Sequence, residues 1–247
     1  MKKGTRGQLT IFIIITILII AVVVLFFTFR GTLQKEKPLS PEIAPIKSFV
    51  QECLDDSLEE VVFKVGENGG YYSSSKVSTP VLGVSYYIKN NISLMPSKEI
   101  IQEQISRGIE RELFSCIEDF TLFENEYEIT KGKMDIKTMI EPEKVLAEVN
   151  YPLTIIKGDS KSKLEDFNSE VPVRLGIVYD AVAEFINEDI KSSEGVCVSC
   201  LFDLSINNGL KSSYPNYDDN TYIFIIEDPQ SKLNNKEFVF VFANEYQ

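Results

Sequence analysis

The sequence predicts an α+β protein held to a membrane by a single N-terminal helix. Three observations carry this. Residues 11–29 form an uncharged apolar run. Three later segments repeat apolar residues at the three- and four-residue spacing of a helix with one buried face. Between and after them lie segments that alternate apolar and polar residues, or are apolar throughout, as strands do. The expected ectodomain packs about three helices on a mainly antiparallel sheet of roughly five to seven strands.

The run from Ile11 to Phe29 holds seven Ile, four Phe, three Val and two Leu, diluted only by Thr16, Ala21 and Thr28. At 1.5 Å per residue it spans roughly 28 Å as a helix, close to the ~30 Å hydrocarbon core of a bilayer. Its large apolar residues, at about −0.3 to −0.6 kcal/mol each, favour insertion by roughly 5 to 10 kcal/mol, with no internal charge to oppose it. A cleaved secretory signal is shorter and ends in small residues, and Thr28-Phe29-Arg30-Gly31 offers no such site. The run reads as an uncleaved anchor. Lys2, Lys3 and Arg6 precede it without an acid, whereas Glu36 lies among the following Arg30, Lys35 and Lys37; this bias places the N-terminus inside. The expected divisions are a basic cytoplasmic leader at 1–8, a transmembrane helix at 9–30, a stalk at 31–45 and an extracytoplasmic α+β domain at 46–247. Pro38, Pro41 and Pro45 make the stalk extended.

The leader reads Lys2-Lys3-Gly4-Thr5-Arg6-Gly7-Gln8-Leu9-Thr10: basic residues, a glycine, then a polar residue opening a hydrophobic helix. This resembles a type IV prepilin signal, particularly its archaeal forms. The resemblance covers about 30 residues and implies cleavage after Gly7, with Gln8 as the new N-terminus. It departs from the family at Phe12, the fifth mature position, where pilins usually carry Glu. The stalk prolines also break the continuous rod by which a pilin's helix joins its head domain.

From Ile46 the helical pattern is plain: Ile46, Phe49, Val50, Cys53, Leu54, Leu58, Val61, Val62 and Val65 form one face, and Gly66, Gly69 and Gly70 stop it. Val81 to Ile88 is a candidate strand. Pro96-Ser97 opens a second helix whose face is Ile101, Ile105, Ile109, Leu113, Cys116 and Phe120. Tyr127–Thr130 and Lys133–Ile140 flank a possible tight turn at Lys131-Gly132. A long strand follows, with Val145, Ala147, Val149, Tyr151, Leu153 and Ile155 inward; Pro152 puts it at an edge or bulges it. Residues 158–169 read as a polar loop. A third helix presents Leu175, Val178, Val182, Phe185, Ile186 and Ile190. An Asn/Gly/Ser/Tyr-rich loop at 207–220 precedes a hairpin, Tyr222–Ile226 with Phe238–Ala243, apolar on both faces and so central and covered.

Charge and composition narrow the function. Four of the 25 basic residues and none of the 37 acidic ones precede residue 31, leaving 21 against 37, a net −16. Such a surface repels nucleic acid and anionic headgroups and suits cationic partners. Histidine is absent, which excludes Ser-His-Asp and Cys-His nucleophilic sites and His-containing zinc sites. There is no P-loop, G-x-S-x-G or H-E-x-x-H; carboxylate-only chemistry survives this argument. No cofactor or metal is implied.

The four cysteines suggest two disulfides outside the cell. Cys53 and Cys116 sit on helical apolar faces and are natural partners, both buried. Cys197 and Cys200 form a CxxC that closes on itself or stays free. Redox CxxC pairs sit at helix N-termini; here Val196 and Val198 flank the first cysteine and no thioredoxin-like βαβ pattern precedes it, so a structural role leads and a thiol–disulfide enzyme is the alternative. Asp218, Asp219, Asn220 and Asp228 are conceivable calcium ligands outside any EF-hand pattern, better read as a solvated loop. Tyr71, Tyr72, Tyr86, Tyr87, Tyr214, Tyr217 and Tyr222 suit a partner surface or the core equally. Asn91-Ile92-Ser93 is a lone glycosylation sequon. The expectation is a single-pass, non-enzymatic protein of the cell envelope that binds a protein or small ligand outside the cell, with a pilin-like subunit as alternative.

Overall fold

The structure, a computed structural model, describes residues 15, 16, 18, 19, 41, 43–192 and 195–246, and the chain divides into two units after Pro41. In the first unit residues 15, 16, 18 and 19 are helical, and Ile15, Leu18 and Ile19 are exposed. The leader, the Gly7–Gln8 cleavage position, most of the anchor and residues 31–40 of the stalk lie outside the described residues. Among the described residues no helix is long and apolar enough to cross a membrane.

The second unit runs, in chain order, α1 (Ala44–Glu67), β1 (Tyr86–Lys89), β2 (Ile92–Ser93), α2 (Lys98–Ile117), β3 (Glu128–Lys131), β4 (Asp135–Ile140), β5 (Val145–Lys157), β6 (Ser160–Val171), α3 (Leu175–Asp189), α4 (Val198–Asn208), β7 (Lys211–Ser213), β8 (Thr221–Leu233) and β9 (Lys236–Glu245). It is α+β, with four helices on two mainly antiparallel sheets rather than three on one.

α1 begins at Ala44, with Pro45 in its first turn, where a missing N–H costs nothing; the expected stalk boundary at 45 is thus a residue or two late. Its predicted face is buried, and it lies against α2, β6 and β9. Gly69 and Gly70 take positive φ, and the Gly70 N–H returns to the Val65 carbonyl at 2.8 Å, closing the helix. Gly66 serves packing instead: a Cβ there would overlap the Val239 carbonyl and the Phe238 ring.

α2 is capped by Ser97, whose hydroxyl accepts from the Ile100 N–H at 3.4 Å. Cys53 and Cys116 join it to α1, with α-carbons 5.8 Å apart. Cys53 is buried, but Cys116 is exposed. The α2 stripe advances in fours from Ile101 to Ile117, so Ile117 takes the core position and Cys116 lies beside it.

In the first sheet β5 is central, paired along its length with β6 on one side and with β4 and β3 on the other. The expected turn at Lys131-Gly132 is absent. β3 and β4 lie end to end along β5, and the Gly132 N–H donates to the Pro152 carbonyl at 2.7 Å where the β5 register slips. Pro152 therefore marks a bulge in a central strand, not an edge. The expected polar loop at 158–169 is β6, an outer strand with inward Leu164, Phe167 and Val171 and an otherwise polar outer face. The second sheet has the order β2-β1-β9-β8-β7, with β1 parallel to β9. The predicted hairpin is central, as its two-sided apolar runs require, and β7 falls inside the expected 207–220 loop. Stacked Tyr87, Phe242 and Phe224 rings, 4.7 and 5.1 Å apart, form its inner face, with Phe185 of α3 against Phe224 at 5.2 Å.

Candidate functional site

α3 buries Val178, Val182, Phe185 and Ile186 and ends at Asp189; the chain resumes as α4 with Cys197 at its N-cap. The CxxC thus occupies a helix N-terminus, preceded by α3 rather than by a βαβ unit. Val198 and Ser199 are exposed while Leu201 and Leu204 turn inward, so the first turn of α4 lies on the surface. Cys197 and Cys200 are bonded to each other, and both are half-buried.

Behind the disulfide lies a buried polar cluster. One oxygen of Asp189 accepts the Cys197 N–H at 2.8 Å; the other accepts the Asn244 amide at 2.9 Å and the Tyr246 hydroxyl at 2.5 Å. Asp189 and Asn244 are buried, and the Asn244 Oδ1 has no partner among the described residues. Burial pushes the Asp189 carboxyl above its ordinary range, with the three donors opposing the shift. Burial, and then the carboxylate it donates to, pushes the Tyr246 phenol up. No basic side chain pairs with Asp189 among the described residues, so it is held by hydrogen bonds alone.

On the outer side Cys200 lines a groove of about 250 Å³ between α3 and α4, with Glu184, Glu188, Asp203, Leu204 and Asn207 around it. Glu188 pairs with Lys191 at 2.7 Å; Glu184 and Asp203 have no ion pair among the described residues. Along α4, Val198, Phe202 and Ile206 are 56, 63 and 63 % exposed. Four-residue spacing turns each successive side chain by only about 40°, so the three form one apolar stripe. A roomier, more open depression of about 480 Å³ lies by Phe114, Met134 and Tyr151, with Arg107, Arg111 and Lys131 among its lining; Arg107 and Lys131 are paired with Glu103 and Asp119.

The other predicted candidates are scattered. Asp228 is fully buried: it pairs with Arg174 at 2.9 Å, accepts the Ser231 hydroxyl at 2.5 Å and the Gln230 N–H at 3.2 Å. It sits seven residues into β8 from Thr221, roughly 23 Å from the Asp218 loop, and no group of three potential metal ligands forms among the described residues. Tyr87 is a core ring, Tyr72 donates to Glu112 at 2.5 Å, and Tyr214 stacks on Phe224 and meets Tyr222 at 6.2 Å, so the seven tyrosines do not share one surface. Asn91 is exposed at a hairpin tip with positive φ, open to modification.

Asp189, Asn244, Tyr246 and Phe202 were absent from the sequence-based candidates. Leu201 and Leu204 at helical spacing, followed by Gly209 as a stop, are the faint trace of α4 that the sequence carries. No protein-family model, curated protein or solved structure matches the chain.

Proposed function

We propose that the chain is a single-pass protein of the cell envelope, N-terminus cytoplasmic, whose domain outside the membrane docks a protein partner on α4. The observation that supports this is the exposed stripe of Val198, Phe202 and Ile206, bordered by the exposed Asp203 one helical turn from Ile206. Contiguous exposed apolar side chains with a polar rim mark interaction sites. Asp203 at the edge of the stripe and the net −16 after residue 30 select the occupant: a basic protein segment bearing apolar side chains, not an anionic lipid surface.

The test uses the full chain in zwitterionic nanodiscs and a synthetic amphipathic peptide of Lys and Leu, with empty nanodiscs as reference. Saturable binding is expected, at least about tenfold weaker for Phe202→Asp and for a peptide with Glu in place of Lys. Binding no stronger than to empty nanodiscs, or indifferent to Phe202→Asp, would refute the docking site.

A second reading, a pilin-like subunit of an envelope filament or secretion machine, is favoured by Gly7-Gln8 before the apolar run. Intact mass of the membrane-extracted protein tests it: loss of residues 1–7 supports processing, and an untrimmed chain removes the support.

A further inference from the structure

We propose that the Cys197–Cys200 disulfide is a thiol–disulfide exchange centre that oxidises a pair of cysteine thiols on a neutral or cationic partner. The bridge is a reactive group built into the first turn of an eleven-residue helix. The leading N–H groups of a helix have no intrahelical acceptor, and its positive end stabilises a thiolate. The Ser199 hydroxyl lies 3.6 Å from the Cys197 sulfur and can donate to that thiolate. From behind, Asp189 holds the Cys197 N–H and is itself fixed by β9 through Asn244 and by Tyr246, so the cap stays in place when the bridge opens. A staple has little to do here, because the bridge spans three positions of one turn, while Cys53–Cys116 already ties the long helices.

The geometry assigns the sulfurs. Cys200 lines the groove between α3 and α4 and receives the attack. A partner thiolate bonds to the Cys200 sulfur, the Cys197–Cys200 bond breaks, and its electron pair leaves on Cys197 at the helix terminus. The partner's second thiolate then attacks the partner sulfur of the mixed disulfide and displaces Cys200. Two electrons pass from the dithiol to the bridge, and the two protons end on Cys197 and Cys200. Glu184 and Asp203, unpaired beside Cys200, and Glu188, paired with Lys191, disfavour an anionic thiol.

Delivery of a protein dithiol rests on the docking reading above; the chemistry does not, and small thiols test it alone. The oxidised full chain in zwitterionic nanodiscs is treated with cysteamine, 2-mercaptoethanol or glutathione at matched thiolate concentration, acid-quenched, alkylated and peptide-mapped. Cys197–Cys200 should open at least tenfold faster than Cys53–Cys116, and, with each rate divided by that thiol's rate on a neutral linear disulfide to remove differences in nucleophilicity, cysteamine should be fastest and glutathione slowest. Glu184→Gln with Asp203→Asn should bring the three rates together. A lysine-flanked dithiol peptide should be oxidised one-for-one as the bridge is lost, and not by the Cys197→Ser, Cys200→Ser chain, whose circular dichroism verifies folding. Equal opening of both bridges, no dependence on thiol charge, or a peptide that binds without being oxidised overturns the proposal. A peptide that fails to bind while the small-thiol order holds overturns the docking reading alone.

Discussion

Replacing Cys53 and Cys116 by Ala removes a cross-link between residues 63 apart in sequence, whereas replacing Cys197 and Cys200 removes one between residues three apart. In the chain-entropy account the first closure is worth about 4 kcal/mol and the second about 2. Burial adds to the difference. Cys53 is 2 % exposed among α1 core residues, so its sulfur leaves a small cavity, while Cys116 is exposed and leaves none. The first pair of substitutions should therefore cost about 4–5 kcal/mol and the second about 2. Urea titration of the full chain, followed by far-UV circular dichroism, reads the difference as a midpoint separation of roughly 1 M for a slope of 2–3 kcal/mol/M. Equal midpoint shifts, or a larger shift for the CxxC pair, would show that the short bridge stabilises the domain and that α1 and α2 hold together without theirs.

Asp228→Ala should destabilise by about 3–5 kcal/mol, since it leaves the largely buried Arg174 guanidinium with only the Asn208 carbonyl, 2.7 Å away; an Arg174→Met, Asp228→Leu pair should cost far less in the same titration. Asp189 predicts a pH dependence. Its folded pKa is raised, so the fold binds its proton more tightly than the unfolded chain does. Its contribution is fully present below the ordinary Asp value of about 3.9 and is lost as pH rises from there through the folded pKa. The stability of the natural chain relative to Asp189→Asn should accordingly fall as pH rises above about 4, and a pH-independent difference would refute the burial argument.

The long elements were legible because their physics is local. α1, α2 and α3 keep one apolar face over their length, and the 221–233 and 236–245 hairpin is apolar on both faces: one is buried in the main core and the other is half-buried against Val84, Tyr86 and Tyr217. β6 was missed because an outer strand needs only one apolar side. Its inward residues Leu164, Phe167 and Val171 are spaced by three and four with Ser169 between, which hides the period of two. The false turn at Lys131-Gly132 has a different origin. A glycine between two strand-like runs marks a hairpin only if the runs face each other, and here both face β5. Which strand lies between two others is a long-range fact that no local window holds.

The site was illegible for the same reason, with one difference in kind. α4 lacks a clean pattern because its two faces do opposite things: Leu201 and Leu204 point inward while Val198, Phe202 and Ile206 point outward. A helix of eleven residues with apolar side chains on two faces, interrupted by Ser199, Asp203, Ser205, Asn207 and Asn208, reads as a poor amphipath, and sequence reasoning discounts it. That outward apolar stripe is what the docking proposal rests on. A short helix needing only to cover the sheet would keep its outer face polar, as α1 does with Glu52, Asp55, Asp56 and Glu60. Asp189 argues in the same direction. A buried carboxylate without a cation is costly, and here three donors from α4 and the end of β9 converge on it. The result is that the N-cap of α4, and with it Cys197, is tied to the central hairpin of the domain rather than to its own loop. A helix positioned that firmly, bearing an outward apolar stripe and a bridge on its first turn, is the part of the surface least explained by folding alone.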